Sequence, residues 1–170
     1  MSIVGIKTTF WGPHAWAFLF STIAGSYPIR IIKTNKEHLQ IVKGFQQMFK
    51  SLIYTLPCIY CRQSFAVFMK EIPINNYENS RRMMMYWLYL IHDRVNKKLL
   101  NQEQTCFDSE KIKIDNQYKN GKITMSRYKK LINDLKTKIF KTKKSPTFES
   151  VLAKYEKERA GCKNKNKQCL

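Results

Sequence analysis

An all-α fold is predicted for this chain of 170 residues, on three observations. Glycine and proline are scarce, at 6 and 5, which argues against a turn-rich β protein. Apolar residues recur at helical spacing in four successive segments. The connections between those segments are short, the pattern of an antiparallel helix bundle. At 44% hydrophobic and 13% aromatic residues, the chain has enough apolar surface to bury a core and is no disordered polymer.

The first helix is expected to begin near Gly12-Pro13, because proline is tolerated in a first turn where its missing N–H costs nothing. Trp16, Leu19, Phe20 and Ile23 share one face, and Gly25 with Tyr27-Pro28 ends the segment. Thr34-Asn35-Lys36-Glu37 has the form of a capping box opening a second helix, whose apolar face runs through Leu39, Val42, Phe45, Phe49 and Leu52. Pro57 stops it, and Cys58 begins a third through Phe65, Phe68 and Met69. A fourth covers about 79–99, with Trp87, Ile91, Val95 and Leu99 in register and His92 and Asn96 four apart on a neighbouring face. Residues 115–122 read as a polar turn, 124–140 as a short fifth helix, and Ser145-Pro146 as the cap and first position of a last helix ending at Gly161.

The formal net charge is +19 and is unevenly spread. Residues 1–96 carry a net +7 and residues 97–170 a net +12 in a shorter stretch. Such a field favours acidic partners, nucleic acid and anionic lipid among them. The lysines are scattered rather than interleaved with aromatics, so no nucleic-acid-binding motif emerges. No apolar run is long enough to span a bilayer, and no charged and then apolar leader opens the chain, so synthesis in the cytosol is expected.

Five cysteines are present: Cys58, Cys61, Cys106, Cys162 and Cys169. Two thiols three apart at a helix start can close a disulfide that opens readily, because the positive end of the helix stabilises a thiolate there. Zinc would need two further ligands, for which only Cys106 and His92 offer themselves, so no metal site is expected. A thioredoxin-type reading needs a βαβ setting that the helical pattern denies.

Three motifs keep company in order: W-G-P-x-x-W at Trp11–Trp16, L-P-C-x-x-C at Leu56–Cys61, and W-x-x-x-x-H-x-x-V-N at Trp87–Asn96. Together they resemble the Erv/ALR family of FAD-dependent sulfhydryl oxidases, and most closely the small forms encoded by large cytoplasmic DNA viruses. The resemblance implies a four-helix bundle around FAD, with a short fifth helix and a homodimer. It implies that Cys58 exchanges with the dithiol of a protein substrate and that Cys61 lies against the flavin. Oxygen would be the final acceptor, giving hydrogen peroxide. By the same resemblance Gly12, Trp16, Trp87, His92, Val95, Asn96 and Lys98 surround the cofactor. His92 and Asn96 would meet the adenosine end, and Lys98 the phosphates or adenine.

Residues 1–142 are accordingly expected to form the oxidase domain, with its core at 10–106. Residues 143–170 would be a basic extension in which Cys162 and Cys169 form a shuttle pair, relaying electrons to Cys58–Cys61. A location in host cytoplasm at the virus assembly site, or in the virion, is implied. The chain departs from the family pattern at Phe20, where a histidine usually follows the leucine, and at Leu56, Tyr89 and Asp93. Two other functions compete: a basic interaction or zinc-binding module, and a virion structural protein with an oxidase-like fold that lacks turnover.

Overall fold

A computed structural model describes residues 5–159, and every regular element among them is helical. In chain order these are α1 (Thr8–Ser26), α2 (Lys36–Thr55), α3 (Ile59–Glu71), a 3-10 turn (Ile74–Tyr77), α4 (Arg81–Lys119), α5 (Met125–Ile139) and α6 (Phe148–Lys157). The all-α expectation therefore holds. Cys162 and Cys169 lie outside the described residues. The chain divides into two compact units: Met1–His92 with Pro146–Leu170, and Asp93–Ser145.

The core of the first unit draws on Leu19, Phe20 and Ile23 of α1, Phe45 and Phe49 of α2, Phe65 of α3, Met84 to Ile91 of α4, and Val151 of α6. Trp87 is at its centre with 0% exposure. Its indole N–H donates to the Ile72 carbonyl at 2.9 Å, and its ring meets Phe49 edge-on at 4.6 Å. A buried indole needs such a partner, because an unsatisfied N–H costs about 1–3 kcal/mol. Arg81, also buried, donates from its Nε to the Tyr27 carbonyl at 2.7 Å, tying the start of α4 to the end of α1.

Three boundaries differ from the sequence-based expectation. Helix α1 begins at Thr8, a turn earlier than Gly12-Pro13, and Pro13 is accommodated inside it near its exposed N-terminal end. Helix α2 is capped by Asn35 and not Thr34; the Asn35 side-chain oxygen accepts from the N–H groups of Glu37 (2.9 Å) and His38 (3.2 Å). The last helix is capped by Thr147, whose hydroxyl accepts from the Ser150 N–H at 3.3 Å, and it ends at Lys157.

The larger difference is α4, which runs through 39 residues to Lys119 where a stop near 99 is expected. Its second half is polar and holds helix by side-chain pairs three and four apart. Gln104 bonds Asp108, Lys113 bonds Glu110, and Lys111 bonds Asp115. The turn assigned to 115–122 contracts to its end, where Gly121 adopts φ +65°. In the second unit α5 lies against this half of α4. Phe107 meets Phe140 at 5.2 Å, Tyr118 meets Tyr128 at 5.1 Å, and Tyr128 donates to Asp115 at 2.9 Å. Glu103 receives the Thr142 N–H at 2.9 Å and the Thr142 hydroxyl at 2.7 Å, which ties down the segment following α5.

Candidate active site

Helix α2 closes with the Leu56 N–H on the Leu52 carbonyl at 3.2 Å, and Pro57, with no N–H to offer, prevents continuation. The chain leaves extended, with Cys58 at φ −148° and ψ 121°, and Cys58 is the N-cap of α3. Its Sγ accepts from the Cys61 N–H at 3.3 Å, the place usually taken by a serine or aspartate oxygen. Cys58 and Cys61 are joined in a disulfide, with Cα atoms 5.2 Å apart, and both are half-buried. The geometry thus delivers what the C-x-x-C spacing promises: two sulfurs at the positive end of a 13-residue helix, one already in the position of a hydrogen-bond acceptor. Any thiolate formed at Cys58 gains from that N–H. A disulfide and zinc ligation compete for the same two sulfurs, and among the described residues no group of three or more His, Cys, Asp or Glu side chains could hold a metal ion.

Of the residues nominated around a cofactor, Trp16 of α1 and His92 of α4 are brought together, with ring centroids 4.6 Å apart. His92 is half-buried with its Nδ1 inside, and Phe20 meets its ring edge-on at 6.1 Å. Trp87 is a core residue whose N–H is committed to Ile72. Gly12 is on α1, where an added Cβ would meet nothing within 4 Å. Val95, Asn96 and Lys98 follow on α4 and belong to the second unit, in which the Asn96 amide donates to the Ser145 hydroxyl at 3.0 Å. Cys106 is free and exposed on the same helix.

Two features of the site escape sequence reasoning. Tyr155 of α6 stacks on Phe20 at 5.3 Å, extending the ring series Trp16–His92–Phe20, and burial pushes its phenol up from the ordinary value. No spacing rule connects residue 155 to residue 20. The second is an extended N-terminal segment: Gly5 pairs antiparallel with Cys58, and the Ile6 N–H donates to the Pro57 carbonyl at 2.7 Å. The Trp11 of the first motif is a signal for it in retrospect, since its indole N–H donates to the Ile6 carbonyl at 3.2 Å.

A model of the Erv1 / Alr family matches residues 13–119 of the chain. A probable FAD-linked sulfhydryl oxidase of Acanthamoeba polyphaga mimivirus is 30% identical over 106 residues, spanning 59% of this chain and 69% of its own length. The crystal structure of the yeast Erv1 core aligns at 24% identity with a TM-score of 0.47, covering 58% of this chain and 76% of that one. Helices α5 and α6 lie beyond the span matched by the family model.

Proposed function

From the premise that the chain belongs to the Erv1/Alr family, we propose that it is an FAD-linked sulfhydryl oxidase with Cys58–Cys61 as its working disulfide. The observation that carries the residue assignment is the disulfide itself, closed across the first turn of α3 with Cys58 as its cap. A substrate thiolate attacks Cys58, and the bond to Cys61 breaks. Cys61 leaves as a thiolate at the helix N-terminus, where partial positive charge favours that form. The second substrate thiol then resolves the mixed disulfide, so the substrate leaves oxidised and the cysteine pair reduced.

The cofactor is FAD. It supplies the two-electron step to oxygen that no side chain can perform. The residues present fit such a group: the Trp16 indole and the His92 imidazole meet from two helices with their planes tilted by 57°, and together they offer aromatic surface to a flat heterocycle. Trp16 would meet its rings, with Gly12 leaving room at α1 and the buried Trp87 backing the site from the core, and His92 would join Asn96 at the adenosine end. Val95, Asn96 and Lys98 would serve the adenosine and phosphate end, and Lys98 brings the positive charge a diphosphate needs. Cys61 would face the flavin, and Cys58 the substrate. Thiol-bearing proteins are the substrates and oxygen the acceptor. No described helix is long and apolar enough to cross a membrane. The same reading extends to a homodimer working in host cytoplasm or the virion, supported by the family and by the mimivirus relative.

The purified chain is expected to be yellow, with about one FAD per subunit. Cys58→Ser should leave Cys61 as a thiolate beside the flavin and produce a long-wavelength absorption band that Cys61→Ser lacks. Both variants should lose oxidation of dithiothreitol, since two sulfurs are needed to close the disulfide. A protein that stays colourless after refolding with FAD removes the oxidase reading. The band appearing in Cys61→Ser instead reverses the two roles.

A further inference from the structure

The backbone edge beside the redox disulfide is already taken, and by the chain itself. Ile6 donates its N–H to the Pro57 carbonyl at 2.7 Å, and Gly5 stands in antiparallel register with Cys58. The approach is so close that only glycine fits. Gly5 has φ +103°, and a Cβ there would be 2.2 Å from the Pro57 oxygen and 2.9 Å from the Cys58 Cα. The Trp11 indole holds the segment from the other side through the Ile6 carbonyl. Around it apolar side chains stand in solvent: Ile6 is 55% exposed, Ile59 39% and Tyr60 62%.

An extended peptide reaching Cys58 has one obvious way to be held, which is to pair with this edge by main-chain hydrogen bonds while flanking side chains rest on the apolar surface. Residues 5 and 6 occupy that place. A small thiol needs no such pairing. We infer that Gly5 and Ile6 are specificity-determining residues: they cover the Pro57–Cys58 edge that an extended, cysteine-bearing substrate segment would use, and that segment must displace them. The inference rests on Cys58–Cys61 being the disulfide that substrates reduce. In the step concerned, two substrate thiols become one disulfide, the Cys58–Cys61 bond is broken, and the two substrate protons end on Cys58 and Cys61. The described bonds that hold Ile6 are each of modest net worth, so the covering residues can be moved.

The test compares two reductants of the Cys58–Cys61 disulfide under anaerobic conditions, with trapping by alkylation and mass analysis. One is dithiothreitol, and the other an unstructured peptide carrying two cysteines with apolar neighbours. Gly5→Val unseats the segment by its side chain, and deletion of residues 1–6 removes it. Both should raise the peptide rate about tenfold, the factor set by one lost competing hydrogen bond, and change the dithiothreitol rate less than about twofold. Trp11→Phe removes only the indole donor and should shift the same ratio in the same direction, which keeps the test open should either N-terminal variant fold poorly. A ratio of peptide to dithiothreitol rate that is unchanged or lowered in these variants overturns the inference. A wild-type disulfide that neither reductant opens overturns instead the assignment of Cys58–Cys61 as the working pair.

Discussion

The two units of this protein are both helical, and they are held together by different means. In the first, which carries Cys58–Cys61, aromatic and aliphatic side chains form one continuous cluster around Trp87, Met84, Met85 and Ile91, all fully buried. In the second, Asp93–Ser145, Phe107 is the one buried apolar residue among the described residues. What the second unit lacks in core it supplies with polar fastenings: Lys111 and Tyr128 on Asp115, and Thr142 on Glu103. It also carries 15 Lys and Arg against 6 Asp and Glu in 53 residues, so those few carboxylates work inside a strongly positive surround. A redox disulfide needs its cap and helix end held in place, and a packed core provides that where surface ion pairs cannot. The Cys58–Cys61 disulfide belongs to the unit with the packed core.

The contrast is sharpest under truncation of the core. Phe49→Ala removes the ring that abuts Trp87 and should cost about 3–5 kcal/mol, with early melting and loss of the flavin site together. Phe107→Ala leaves a shallower gap at the edge of a thinner cluster and should cost about 1–2 kcal/mol. Its Cys58–Cys61 pair should react with dithiothreitol at the wild-type rate. Calorimetry and the disulfide-reduction rate measure both. If Phe107→Ala disables thiol oxidation as thoroughly as Phe49→Ala does, the two units are not separable in function.

A change of pH should separate them as well. The Asp115 carboxyl is held below its ordinary range, first by the hydrogen bond from Lys111 and next by that from Tyr128. A group depressed in this way lends stability above its unfolded value and loses it as pH falls through the folded one. Between neutrality and the acid side of the carboxylate range, amides of α5 and of the facing half of α4 should lose protection against hydrogen exchange, after correction for intrinsic rates. Core amides around Trp87 should keep theirs. Asp115→Asn should abolish the pH dependence of the second unit; persistence of that dependence would assign it to another carboxylate.

The smallest effect expected concerns the tail. Deleting residues 162–170 removes Cys162 and Cys169, which a shuttle would use to carry electrons to Cys58. Oxidation of a folded protein substrate should slow a few-fold, the loss of a tethered thiol at high effective concentration. Dithiothreitol oxidation should hardly change. If the deletion leaves both rates unchanged, the tail cysteines are incidental. If only the rate on the protein substrate falls, the N-terminal and C-terminal segments act with opposite sign, one restraining access of protein thiols to Cys58 and the other promoting it.

Much of this was legible in the residue order, because it depends on neighbours in the chain. The all-α class, α5, the stop at Pro57 and the placing of Cys58 at the first turn of α3 follow from local propensity, proline geometry and helical spacing. So does the face shared by Trp16, Leu19, Phe20 and Ile23. Tertiary structure decided the rest. The extension of α4 to Lys119 goes with α5 folding back against it, with Phe140 on Phe107 and Tyr128 on Tyr118, contacts that a window over a polar stretch cannot see. The caps at Asn35 and Thr147 were one and two residues from the expected ones, since neighbouring polar residues compete and the packing of the helix selects among them. The stack of Tyr155 on Phe20 and the pairing of Gly5 with Cys58 join residues far apart in the chain, and only the folded backbone brings them within reach.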